Sequence, residues 1–251
     1  MRPNEGRVRP EDYEMSDWLV LGTACMLGAL HALELDHMLA VTTFVSRRPA
    51  LRTAAGFGMR WGIGHSVAVL AAGGVLIATG VRLPERYDAI GEALVGLMLA
   101  GLGAWALVSA RKLHLHSAEE HGGHAHLHLH AAARRPHEHA HHGADATGHD
   151  HSHGSITLVG LLHGLAGTSG VVALVPVTMM DRAALGVGYL AAFGVGVTVA
   201  MMVFALAAAI AVRQATVRSL VWGRRVAAAI GVSGLGVGAW WMGRALLELR
   251  G

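Results

Sequence analysis

Six long apolar stretches alternate with polar connections along this chain, at about 17–45, 53–80, 88–110, 155–180, 184–212 and 225–247. About 20 apolar residues in helical form span a bilayer, so each run predicts a membrane-crossing helix. The polar stretches divide the chain into an N-terminal tail (1–16), a first three-helix unit (17–110), a connection (111–154), a second unit (155–247) and a short tail (248–251). The expected fold class is therefore an all-α integral membrane protein. Its six transmembrane helices form two inverted three-helix repeats with a His-rich loop between them.

Composition agrees with burial in lipid. Hydrophobic residues make up 53% and charged residues 15%, with a mean hydropathy of +0.45, whereas soluble domains carry about 25% charge. The 34 glycines suit helices that approach closely in a membrane. A net charge of +3 and a pI of about 9.6 raise the question of nucleic acid. The basic residues, however, are single arginines or pairs in the connections, without interleaved aromatics, and the reading is no nucleic acid. Cys25 is the single cysteine, which excludes an intrachain disulfide. The first sixteen residues mix Arg2, Arg7 and Arg9 with Glu5, Glu11, Asp12 and Glu14, a polar tail rather than a cleaved signal peptide.

Basic residues also set orientation. The connections after segments one, three and five hold eleven, from Arg47 to Arg225, against Arg82, Arg86 and Arg182 in the opposite connections, to which the two chain ends, expected outside, add three and two arginines. The richer side, with the long loop, is expected in the cytoplasm of a multi-pass plasma-membrane protein.

The first apolar segment contains His31-Ala-Leu-Glu34-Leu-Asp36-His37. A carboxylate at the membrane centre costs roughly 2.5–3.5 kcal/mol on insertion scales, so such a cluster normally faces a partner, an ion or a water-filled path. Imidazole with carboxylate suits nickel, cobalt, zinc and copper. On a regular helix, at about 100° per residue, Glu34 and His37 share a broad face with His31 while Asp36 points away. Either the helix unwinds near Leu35, or Asp36 orients a histidine from a neighbouring helix. His65, in Gly62-Ile-Gly-His65-Ser66, and His163, in the fourth segment, complete the set of membrane histidines. The candidate metal residues are His31, Glu34, Asp36, His37, His65 and His163. Glu92 reads as an interfacial charge near a helix start.

Fourteen of the eighteen histidines lie between Lys112 and Ser155. Alternation at His124, His126, His128 and His130, then His137, His139, His141 and His142, and finally His149, His151 and His153 lets an extended chain gather several imidazoles around one ion. Too polar to form a core, this auxiliary metal loop is expected to be disordered without metal. Across it, Gly28-Ala-Leu-His31-Ala-Leu33 matches Gly160-Leu-Leu-His163-Gly-Leu165. Three segments separate the matches, so the halves face opposite ways, an architecture common in transporters with broken helices at the midplane. Gly164, Gly167, Gly170 and Pro176 supply breakers in the fourth segment.

His31-x4-Asp36-His37, followed by Met38-Leu-Ala-Val-Thr-Thr43, resembles the signature of the nickel/cobalt transporter family and its urease-accessory relatives. Gly64-His65-Ser66 resembles that family's second block, and Leu162-His163-Gly-Leu-Ala-Gly167 the fourth-helix motif of its shorter members. The resemblance implies secondary transport of Ni2+ or Co2+ as substrate, with no cofactor and with His31, Asp36, His37 and His65 as site positions. Better-known uptake permeases have eight segments rather than six, and Glu34 stands where many members have Asp. The long His-rich insert is similar to that of the efflux members, which tilts the expected direction towards export; the alternative is a nickel uptake permease supplying urease or hydrogenase. Expected partners are the divalent ion and membrane lipid, and a homo-oligomer is compatible with the chain.

Other classes fare less well. An intramembrane metalloenzyme needs His-Glu-x-x-His or repeated His-x-x-x-His boxes, and the apolar segments hold neither, so the chain reads as no enzyme. A non-transporting metal sensor shares the same residues and separates only by flux. A zinc carrier of the cation-diffusion type normally carries a folded C-terminal domain, and few residues follow the last segment here.

Overall fold

The computed structural model describes residues 10–80, 86–111, 113–115, 127–129, 152–166 and 168–250. Helices account for nearly all of them: α1 (Pro10–His31), α2 (Leu35–Arg47), α3 (Leu51–Thr79), α4 (Tyr87–Arg111), α5 (Ser152–Ala166), α6 (Thr168–Thr178), α7 (Ala183–Arg218) and α8 (Leu220–Arg250). Two three-residue strands, β1 (Leu113–Leu115) and β2 (Leu127–Leu129), pair antiparallel within the His-rich connection.

Four helices, α3, α4, α7 and α8, are long and apolar enough to cross a membrane, and α1 with α2 passes the same test only as a pair, bent by 61° at the break between them. The protein is thus a multi-pass membrane protein. Its surface inverts the soluble pattern: Leu30, Leu97, Val199 and Trp240 are exposed, while His31, Asp36, His37, His65, Glu92 and His163 are buried. The fourth apolar segment corresponds to α5 and α6. The apolar part of α5, Ile156–Ala166, is too short to cross by itself at about 1.5 Å per residue.

The bend between α1 and α2 is local in origin. Leu33 N–H donates to Leu30 and Glu34 N–H to His31, each at 3.0 Å, so α1 tightens into a final turn and stops. Glu34 then takes an extended conformation (φ −67°, ψ 153°) as the residue before α2. The His37 N–H, an orphan donor of the new helix start, donates to Asp36 Oδ1 at 2.9 Å. Asp36 thereby caps its own helix, at the end where the helix dipole favours a carboxylate.

Packing is dominated by four helix pairs: α1 on α7, α3 on α5, α3 on α7, and α4 on α8. Glycines set how closely they approach. A Cβ on Gly28 would strike the Phe193 carbonyl, and one on Gly160 the Trp61 carbonyl. Gly196 abuts Cys25 and Gly64 abuts Thr157. Gly62 meets Thr198 and Gly194 meets Ser66, so α3 and α7 run antiparallel. Ser66 Oγ and Thr198 Oγ1, 132 positions apart, lie 3.4 Å from each other. The main core joins α1, α2, α3, α5, α6 and α7 around Trp61, Leu190, Phe193 and Met201. A smaller cluster, Ala40, Val95 and Leu99, ties α2 to α4 and α8.

Candidate metal site

The break between α1 and α2 delivers His31 at the end of one helix and Asp36 and His37 at the start of the next. From α3, one turn beyond Trp61, comes His65; His163 sits one turn before the end of α5. His37, His65 and His163 are fully buried and His31 is 6% exposed. The His31 and His37 ring centres are 4.4 Å apart, and His65 stands 5.3 Å from the first and 5.2 Å from the second. His163 lies 4.3 Å from His37 and 6.0 Å from His65.

Nitrogen atoms from His31, His37 and His65 lie within 4.8 Å of one another, as do ligand atoms of Asp36, His37 and His163. His37 belongs to both groups. The hydrogen bonds aim these rings. Asp36 Oδ1 accepts from His37 Nδ1, and Asp36 Oδ2 accepts from His163 Nε2, each at 2.9 Å. Glu34 Oε1 accepts from His31 Nδ1 at 3.0 Å. His31 Nε2, His37 Nε2 and both His65 nitrogens are left buried without a hydrogen-bond partner among the described residues. Each such atom costs about 1–3 kcal/mol unless something binds it. An imidazole anchored through one nitrogen and offering the other, as His31, His37 and His163 are, is the donor arrangement a borderline divalent cation takes.

Both ways of accommodating Asp36 are realised together: the helix is interrupted just before Leu35, and the carboxylate orients two histidines, one on a neighbouring helix. Glu34, half exposed, lies outside both groups and steadies His31 instead.

The chain is 30% identical over 185 residues to the urease accessory protein UreH of Bacillus sp. (strain TB-90), a match that covers 74% of each chain. It belongs to the UreH family. No family model and no solved structure matches the chain.

Three features of this UreH-family protein, two at the site and one between α4 and α8, carry no local signal in the sequence. Trp61, fully buried, stacks on His65 (5.2 Å, 12°) and turns its ring towards His37 and His163 (4.8 and 5.3 Å). Phe193 stacks on His31 at 5.5 Å. Apolar aromatics in apolar segments look like ordinary packing, and no local signal distinguishes these two. Glu92, in the second turn of α4, is a buried carboxylate paired with Arg244, its partner 152 positions away. Of the auxiliary histidines, His128 lies in β2 and His153 in α5, with only their backbone described. His124, His126, His130, His137, His139, His141, His142, His149 and His151 lie outside the described residues.

Proposed function

We propose that this UreH-family protein carries nickel ions across the membrane, with cobalt as the alternative cargo, through the His31, His37 and His65 nitrogens and a second station at Asp36, His37 and His163. The observation that carries this reading is the convergence of buried, unpartnered imidazole nitrogens at a broken membrane helix. Nitrogen donors favour nickel, cobalt, zinc and copper over magnesium and calcium. Three of them replace part of the hydration shell and leave positions for water, binding firmly enough to accept the ion and weakly enough to release it. His37, shared by the two groups, lets the ion pass between them without a wholly unliganded step.

The reading includes six spans in two inverted repeats, with α5 and α6 as the sixth, broken span. The contacts support it. Shifting each residue by 132 positions turns the Gly28–Phe193 contact into Gly160–Trp61, Cys25–Gly196 into Thr157–Gly64, and Gly62–Thr198 into Gly194–Ser66. The same shift carries His31 onto His163. A contact pattern that maps onto itself under one constant shift is what a two-fold relation between halves produces. The arginine-rich connections, and the His-rich loop as an auxiliary store, are assigned to the cytoplasm.

On direction, the relative's name favours supply: urease is a nickel enzyme, and an accessory protein that moves nickel for it brings the ion inward. The His-rich loop, which tilts the sequence reading towards export, serves an importer equally well as a receiving buffer. The relative is an accessory protein by name, and the chain is no enzyme.

The test is flux of nickel, cobalt and zinc into sealed proteoliposomes, with nickel accumulation in expressing cells to fix direction. Nickel flux that His37→Ala abolishes is expected. Nickel binding without flux would make this a sensor; raised cellular nickel means import and lowered nickel means export.

A further inference from the structure

Trp61 and Phe193 are partners in the same 132-position relation, and each touches the imidazole set. Phe193 lies against His31 as Trp61 lies against His163, the equivalent histidine. Each is also packed by its backbone against the equivalent glycine of a broken segment, Phe193 against Gly28 and Trp61 against Gly160.

Their heights in the bundle differ. The antiparallel register sets Gly62 beside Thr198 and Ser66 beside Gly194. Phe193 therefore stands about one and a half turns, roughly 9 Å, beyond Trp61 along α3, with His65 between the two levels. Trp61 lies towards the face of the membrane where α3 begins, and Phe193 towards the face where α7 begins. With both rings in place, the histidines are sealed, none being more than 6% exposed. The Trp61 indole N–H is also buried without a partner among the described residues. A buried indole normally finds one, so this ring is held in a position that a second placement would relieve.

We propose that Trp61 and Phe193 are paired aromatic stops, each separating the imidazole cluster from one face of the membrane, so that a hydrated divalent cation reaches the histidines only when one ring moves aside. This rests on the transport reading above and adds to it the two groups that alternate. The backbones of α3 and α7 are locked at Gly62–Thr198 and Gly194–Ser66, so the movement falls to the rings and to the broken segments that lean on them.

The test uses the full chain with Cys25→Ala and His65→Cys, in oriented sealed vesicles, and a membrane-impermeant charged maleimide applied from one face at a time. With both rings present, labelling is slow from either face. Trp61→Ala is expected to speed labelling at least tenfold from the face where α3 begins and to leave the other face unchanged. Phe193→Ala is expected to do the reverse. Trp61→Phe and Phe193→Trp, which keep a ring, stay slow; if Trp61→Ala does not fold, Trp61→Leu replaces it with the same expectation. Acceleration from the same face in both variants, from both faces in one, or in neither overturns the proposal. The readout requires no transport. Ring variants that label as expected in the His65→Cys background, beside a wild type that passes no nickel, therefore defeat the transport reading separately.

Discussion

Asp36 Oδ2 accepts a hydrogen bond from His163 Nε2 at 2.9 Å, across 127 positions of chain. The other oxygen of the same carboxylate holds His37 and caps the start of α2. One buried side chain thus orients two imidazoles from two broken segments and fixes the nitrogen that each offers.

Asp36→Asn keeps one acceptor oxygen and loses the other. Nickel affinity should fall by about 10–100-fold, the usual cost of losing a group that orients a ligand, and calorimetry on purified protein in detergent measures it. Glu34→Gln should cost much less, because that carboxylate is half exposed and steadies only His31. Equal losses from the two would show that Asp36 has no orienting role.

Gly28→Ala and Gly160→Ala each drive a methyl group into a neighbouring backbone carbonyl. Both should destabilise by about 1–3 kcal/mol, as overpacking does. Gly22 and Gly74 face open space. Alanine there should be neutral or stabilising by up to ~1 kcal/mol through helix propensity. Thermal unfolding in one detergent compares all four, and a Gly28→Ala variant as stable as Gly74→Ala contradicts the packing described.

Glu92 and Arg244 join α4 to α8, and their burial is unequal: the carboxylate is 5% exposed and the guanidinium 53%. Removing the arginine strands a buried charge, while removing the acid leaves a half-exposed one that still faces Glu248 at 3.5 Å. Arg244→Ala should therefore cost about 1–3 kcal/mol and Glu92→Gln clearly less. A double-mutant cycle on unfolding midpoints gives the comparison, and the reverse order would refute it.

Deleting residues 116–151 removes twelve of the fourteen loop histidines and leaves the helices intact. If the loop stores ions beside the membrane site, nickel flux at low external metal should drop several-fold while flux at saturation stays near wild type. Unchanged flux at both concentrations would deny the loop any part in transport.

Four of the six expected spans, α3, α4, α7 and α8, and the buried histidines could be read along the chain, because both signals are local. Apolar length marks a membrane helix, and a histidine or carboxylate inside one is costly wherever it points. His31, His37, His65 and His163 stood out for that reason, and helix geometry alone showed that Asp36 could not join them on an unbroken helix. Only the tertiary structure decided that the helix does break, that both Asp36 oxygens hold histidines, and that Glu34 holds His31 from outside the two groups. The roles of Trp61, Phe193 and the Glu92–Arg244 pair came from the same source, since their partners lie on other helices. Which face of a helix meets which neighbour depends on where glycines let backbones touch, and that information resides in the packed bundle.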